Sequence, residues 1–304
     1  MSSSTARKLL SLKLMVGSTP TKCYRILGVE VCFKLEYANP TGSHKDRIAV
    51  YMIEAAIREQ GSLDCVAEVS SGNTATSVAW AAGVLGLKSI LFVEKRASEV
   101  KKSFIRYLGG ILVEIGDEGL SRQEAIEEAA RQGCLLLDQN SNEYNHLAHY
   151  EGTGVELLHD MNGDIDVFVM GIGTGGTITG VGRRLKEELG NTLVVGVTPK
   201  GSAIAGGGGA DFIEGLSSKT VPPLFNRYRR YVDRIVEVGE REAIEGVGLV
   251  RKLTGLLPGP STGAAFQALR KLVEDGVVDR GSKAAIIVAD RASRYLGLLA
   301  RLGG

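Results

Sequence analysis

Short apolar runs alternate with helical stretches along most of this chain, and several of the runs break directly into a glycine- or serine-rich turn that opens the next helix. The run at 66–69 passes into Ser70-Ser71-Gly72-Asn73-Thr74 and then a helix through Ala79, Trp80, Ala82 and Leu85. The run at 167–171 passes into Gly171-Ile172-Gly173-Thr174-Gly175-Gly176-Thr177 and a helix over 178–189. Further strands are expected at 89–93, 111–115, 134–137, 193–198, 232–238 and 284–289, with helices at 97–108, 121–132, 148–159, 240–253, 262–274 and 293–302. Strands that are apolar throughout and are returned by helices imply an α/β fold with a parallel sheet covered on both faces. Two strand-like runs at 22–27 and 29–37 precede this pattern, behind a partly helical leader at 1–18. No tandem repeat or low-complexity linker divides the chain, so a division into two domains has to be compact, with the chain crossing more than once.

A lysine stands at the head of one of these helices, in Asn39-Pro40-Thr41-Gly42-Ser43-His44-Lys45-Asp46-Arg47. Pro40 and Gly42 punctuate the chain, and Ser43 is a good N-cap residue. Ile48, Ala49, Tyr51, Met52, Ala55 and Ala56 then recur at helical spacing until Gly61 stops the helix. Lys45 therefore falls in the first turn, where the helix dipole disfavours a cation. Taken alone it reads either as a solvated lysine or as an amine placed for chemistry, since a lowered pKa makes an amine nucleophilic. Partners elsewhere in the chain have to decide between the two.

The formal charge of +1 gives no general electrostatic reason to bind nucleic acid or an acidic membrane. Glycine is in excess, 40 of 304 residues, which suits tight turns and backbone that approaches a ligand closely. Cys23, Cys32, Cys65 and Cys134 form no C-x-x-C pair. Their spacing argues against a zinc site or a disulfide framework and favours reduced thiols in a cytoplasmic protein. No metal is expected, because His146, His149 and His159 lack ligand spacing. No signal peptide and no membrane span are read from the sequence.

The turn at 171–177 exposes backbone N–H groups and threonine hydroxyls at a helix N-terminus, which is what a phosphate needs. It lacks a P-loop lysine, and no acidic residue closes the run at 193–195 as a ribose-binding unit requires. A phosphorylated cofactor other than a nucleotide fits best; plain strand–helix packing is the alternative. In the Ser70–Thr74 turn, Ser71, Thr74 and local N–H groups suit a carboxylate and the Asn73 amide suits a ring oxygen, unless the segment is an ordinary N-cap.

Together these motifs resemble the pyridoxal-phosphate enzymes of fold type II, the cysteine synthase and cystathionine β-synthase group. The likeness is collinear from Thr19-Pro20 to Arg294-Tyr295-Leu296. It takes in Lys34-Leu35-Glu36, Asp138-Gln139, Ala148-His149-Tyr150 before Gly152-Thr153-Gly154, and Pro260-Ser261-Thr262-Gly263-Ala264-Ala265. It implies two three-layer α/β/α domains with mostly parallel sheets, the cofactor in the cleft between them. Residues 1–37 with 147–304 would form the large cofactor-binding domain, and 38–146 a smaller mobile substrate-binding domain. It implies pyridoxal 5′-phosphate linked to Lys45, which also acts as the base, with Asn73 at the ring oxygen. Gly173, Thr174, Gly175, Gly176 and Thr177 would hold the phosphate, and Ser261 would face the pyridine nitrogen. Ser70, Ser71, Thr74 and Gln139 would take the substrate carboxylate.

The reaction implied is β-replacement by a homodimeric enzyme: O-acetylserine or O-phosphoserine reacts through an α-aminoacrylate with sulfide to give L-cysteine. Alternatives are a cystathionine β-synthase-like enzyme or serine sulfhydrylase using serine, a serine or threonine dehydratase, and a silent cofactor-binding paralogue. The chain departs from the group's usual pattern at His44, Ala75, Gly208, Asp211 and Glu214. His44 reads as a residue packed near the phosphate or as a structural turn histidine, and at its ordinary pKa of about 6.5 it would also affect the pH profile. The loop at 207–213 borders the substrate entrance in the group.

Overall fold

The computed structural model describes residues 3–70, 72–95, 97–117, 119–209, 211–217 and 219–300. It divides into two compact units, Met1–Gly17 with Asn39–Asn145, and Ser18–Ala38 with His146–Gly304.

Elements are numbered in chain order through both units. In the smaller unit α1 (Ser3–Met15) buries Leu9 and Leu12, one helical turn apart, and packs on α2 (Lys45–Gln60) and α3 (Asn73–Leu85). The sequence grouped 1–37 with the larger domain; the apolar stripe of α1 seats it on these two helices. Helix α2 buries Ile48, Ala49, Met52, Ile53 and Ala56 and ends where Gly61 takes φ +76°, its N–H returning to the Ile57 carbonyl. The sheet of this unit is parallel throughout, in the order β5-β4-β3-β6, from β3 (Cys65–Val69), β4 (Lys88–Glu94), β5 (Ile111–Ile115) and β6 (Leu135–Leu136). Helices α4 (Glu99–Tyr107) and α5 (Arg122–Arg131) belong to the same unit. Ser121 and Glu124 close a capping box at the start of α5. Cys65, Ala67 and Val69 face a cluster with Ile90, Phe92, Ala125 and Ala129. Side chains alternate along a strand, so Val66 and Glu68 point to the opposite face.

The larger unit holds a six-stranded sheet in the order β1-β2-β10-β7-β8-β9. Its strands are β1 (Thr21–Ile26), β2 (Val29–Lys34), β7 (Val167–Gly171), β8 (Leu193–Pro199), β9 (Arg234–Val238) and β10 (Lys283–Ile287). Among the described strand pairs of this sheet only the β1–β2 hairpin is antiparallel. One face packs Phe33, Val167, Val169 and Ile286 with Phe266 and Leu269 of α11 (Pro260–Glu274). The other packs Phe168, Met170 and Ile287 with Ile178, Val181 and Leu185 of α8 (Gly176–Leu189). Helix α10 (Glu240–Thr254) lies against α11, so closely that a Cβ on Gly246 would stand 2.2 Å from the Gly263 carbonyl oxygen.

Three expectations change. The single helix expected over 148–159 is broken into α6 (Glu143–Ala148), a π-helical turn at His149–Thr153 and α7 (Gly154–Asp160). A further helix, α9 (Pro223–Tyr228), starts at the second proline of the pair read as a turn, because proline suits a first helical position. The terminal helix is a 3₁₀ turn at Ala292–Tyr295 followed by α12 (Leu296–Leu299).

The cysteines are also corrected. They are paired, Cys23 with Cys32 and Cys65 with Cys134. Cys23 stands directly opposite Cys32 in the hairpin register. Val66 stands opposite Leu135 in the β3–β6 ladder, which brings Cys65 and Cys134 side by side one residue earlier. Sequence spacing hid this because pairing follows strand register, and the argument from reduced thiols to a cytoplasmic setting falls with it. Among the described residues no helix is long and apolar enough to cross a membrane.

Candidate active site

In the smaller unit Lys45 is the first residue of α2, and His44, already in a helical conformation, takes the cap position expected of Ser43. The Ser43 hydroxyl instead accepts the Lys45 N–H at 3.3 Å. What fixes this turn is Asp46, fully buried one residue on. Its carboxylate accepts the Thr41 N–H at 2.7 Å, the Thr41 hydroxyl at 2.5 Å and the Ser77 hydroxyl at 2.6 Å. Ser77 lies on α3, with its Oγ 3.0 Å from the Asn73 carbonyl oxygen. An anion in a first helical turn is favoured by the dipole, and charge-assisted bonds are the strong ones. Asp46 thus braces the Lys45 turn against the helix start that carries Asn73. His44 is buried, and burial, with the Lys45 and Arg47 charges beside it, holds its pKa well below the ordinary 6.5. It stays neutral through the physiological range, which removes the expectation that it titrates there.

Ser70, Thr74 and Gln139 are also buried in this unit. The Thr74 hydroxyl donates to Gln139 Oε1 at 2.6 Å, which leaves the Gln139 amide hydrogens as donors. Ser70 Oγ accepts the Gly72 N–H at 3.3 Å. Gly72 takes φ +145°, and a Cβ there would stand 2.6 Å from Cδ of the buried Lys101 side chain, so only glycine fits the turn. Ser71 lies outside the described residues. Sequence reasoning missed Asp46 and Glu68. Glu68 is buried beneath the turn, its oxygens facing the N–H groups of Val69 and Gln139. Burial first, then the neighbouring Asp138, push its carboxyl up to about 8, against the opposing pull of those N–H groups and Arg122.

In the larger unit β7 hands the chain to the glycine turn and α8. Gly175 takes φ +90°, and a Cβ there would meet Phe225 at 2.5 Å; one on Gly173 would meet the Gly215 carbonyl oxygen at 2.6 Å. The turn is therefore bare backbone at the N-terminus of a 14-residue helix. Thr174 and Thr177 are buried beside it, and the Thr174 hydroxyl lies 3.4 Å from the Gly176 N–H. Thr177 Oγ1 is 3.1 Å from His149 Nε2, and His149 Nδ1 is 2.9 Å from Thr153 Oγ1. The π-helical turn thus delivers His149, read from sequence as merely structural, to the hydroxyl of Thr177. Compact backbone donors, buried hydroxyls and a helix N-terminus fit a phosphate. Ser261 sits in the first turn of α11 after Pro260, partly exposed. Against Gly259, which precedes that turn, the Asp290 carboxylate accepts the Tyr295 hydroxyl.

Asp211, one of the departures from the group's pattern, accepts the Glu240 N–H at 3.2 Å, so it caps the start of α10. Cys23, Glu30 and Cys32 lie close enough to share an ion, but two of the three are spent in a disulfide.

A braced lysine at one helix start, and a strand that ends in a bare-backbone turn suited to an anion at another, are what an α/β enzyme that works through a phosphorylated cofactor needs. The sequence pattern of the family described as "Pyridoxal-phosphate dependent enzyme" matches residues 12–290, and the chain belongs to that family. It is 34% identical over 302 residues to a cysteine synthase of Helicobacter pylori, covering 95% of this chain and 97% of that one. It is 33% identical to a cystathionine beta-synthase of Apis mellifera, covering 95% of this chain and 58% of that longer protein. Among solved structures, O-ureido-L-serine synthase superposes with a TM-score of 0.88 at 29% identity, covering 96% of this chain and 95% of the other. The chain is a pyridoxal-phosphate-dependent enzyme.

Proposed function

We propose that this enzyme carries out β-replacement on an O-activated serine, O-acetylserine or O-phosphoserine. The β-carbon–oxygen bond breaks with loss of acetate or phosphate, and a carbon–sulfur bond forms with sulfide to give L-cysteine. Pyridoxal phosphate, when bound, supplies the electron sink for the carbanion character that develops at Cα. Lys45 holds the cofactor and carries the α-proton on Nζ. Asn73 donates to the ring oxygen, and the Gly173–Thr177 backbone and hydroxyls hold the phosphate. Ser261 offers a hydroxyl to the pyridine nitrogen, which leaves that nitrogen largely unprotonated and suits β-elimination. Ser70, Ser71, Thr74 and Gln139 take the substrate carboxylate.

The observation that carries this reading is the Asp46 brace, which fixes the turn bearing Lys45 and ties it to the helix that starts with Asn73. A solvated lysine has no use for a buried carboxylate and three directed donors behind it. The cystathionine beta-synthase relative favours one second reading, in which unactivated serine is the substrate. Asp211, closer to that group's pattern, caps the start of α10.

The two separate when the holoenzyme is given O-acetylserine, O-phosphoserine and L-serine in turn, each with sulfide. Cysteine from an O-activated serine is expected. Cysteine from L-serine alone favours the second reading, and oxoacid release without thiol product makes the chain a dehydratase and overturns both.

A further inference from the structure

Glu68 is the last but one residue of β3 and lies two positions before the Ser70–Thr74 turn, with none of its surface exposed. The backbone uses both of its oxygens. Oε1 accepts the Val69 N–H at 3.1 Å, and Oε2 accepts the Gln139 N–H at 3.3 Å. The second bond crosses from β3 to the segment after β6 and lands on the residue whose side chain takes the Thr74 hydroxyl. Asn145 Nδ2 holds the same residue from the other side, donating to the Gln139 carbonyl at 2.7 Å. Arg122, first residue of α5, lies 3.5 Å from the Val69 carbonyl oxygen and 3.1 Å from Asp138 Oδ1.

We infer that Glu68 is a positioning residue for the amino-acid substrate: it fixes Gln139 against Thr74, and its charge state governs how readily the adjoining turn accepts a carboxylate. This rests on reading that turn as the substrate-carboxylate site. Among the described residues β4, β6, α3 and α5 pack against β3. On β4 the residue opposite Glu68 is Leu91, and α3 carries no ionisable side chain. Asp138 follows β6, and Arg122 opens α5. Those two are the charged groups that act on Glu68, and with burial they leave its carboxyl titrating at about 8. At neutral pH Glu68 is therefore mostly an uncharged acid. Above pH 8 it becomes an anion beneath a turn that has to accept a second one, and like charges in a partly buried site repel.

The test is steady-state kinetics of the holoenzyme with O-acetylserine and sulfide from pH 6.5 to 9.5, for wild type, Glu68→Gln and Glu68→Ala. The KM for O-acetylserine in wild type, divided by that of Glu68→Gln, is expected to rise about tenfold between pH 7 and 9, the order one screened unit charge produces. The matching kcat ratio is expected to move much less. Taking the ratio cancels titration of the substrate amine. Glu68→Ala, with no tether to Gln139, is expected to raise KM at every pH. A flat KM ratio across the range overturns the inference, and so does a wild-type KM in Glu68→Ala. If Glu68→Ala does not fold, the glutamine variant decides. Spectral titration of the holoenzyme with L-alanine, which carries no leaving group on its β-carbon, reads carboxylate binding without β-elimination. An enzyme inactive on O-acetylserine therefore refutes the proposed reaction and still tests Glu68 by the same ratio.

Discussion

Removing the Cys65–Cys134 bridge should cost far more than removing Cys23–Cys32, although both sit in sheet ladders. The first joins residues 69 apart and the second residues 9 apart. In the chain-entropy account a cross-link restricts the unfolded state as the logarithm of the loop it closes. That gives about 4.4 kcal/mol for the long loop and about 2.7 kcal/mol for the hairpin. The bridges differ in a second respect. Cys65 and Cys134 are both buried, so double alanine replacement also leaves apolar volume unfilled, whereas Cys23 is exposed on β1. The difference between the two double variants should therefore be at least about 1.5 kcal/mol, read by chemical denaturation followed with probes in each unit. Thiol labelling in denaturant checks the premise: no reactive thiol before reduction and four after it. Four labelled thiols without a reductant, or equal costs for the two variants, would refute the reasoning.

Other consequences can be measured directly. Asp46→Ala removes the buried acceptor of the Thr41 N–H and of the Thr41 and Ser77 hydroxyls; a stability loss of about 3 kcal/mol is expected by urea denaturation, with weaker cofactor retention on dialysis. Thr177→Val removes the hydroxyl between His149 and the glycine turn and should weaken pyridoxal-phosphate binding about tenfold, while Ser261→Ala leaves phosphate retention in place. Glu68 predicts a pH dependence of stability. Its folded pKa stands above the ordinary 4.5, so the folded state holds the proton more tightly. Its stabilising contribution is complete below pH 4.5, declines as pH rises to about 8 and is then gone. A shift of that size corresponds to about 5 kcal/mol, and Glu68→Gln should lose this contribution to the slope when its denaturation is compared with wild type at pH 5, 7 and 9.

Much of the fold was legible because its signals are local. Strand β7 and the turn into α8 announce themselves by an apolar run meeting glycines, and Gly61 marks the end of α2. The elements that were misread depend on partners distant in sequence. The break at His149–Thr153 had a local signal in Gly152 and Gly154 that went unused, and only the fold shows that it serves Thr177. The cysteine pairs required strand register, which for Cys23 and Cys32 was implicit in two adjacent strands and went unused. Helix α1 joins the smaller unit through Leu9 and Leu12, an apolar pair whose partner surface no local pattern reveals. Of the site, the residues expected to touch ligands were marked by their turns. Asp46 and Glu68 were not, since an acidic residue beside an apolar stretch normally reads as solvated, and only burial with directed N–H donors distinguishes them.

The proposed chemistry depends on Lys45 as the residue that bears the cofactor. Purified protein reconstituted with pyridoxal phosphate should show a visible absorption band. Lys45→Ala should lose that band and its turnover of O-acetylserine, yet still bind the cofactor through the turn at 173–177. A band of undiminished intensity in Lys45→Ala, or a wild type that stays colourless with the cofactor present, would contradict it.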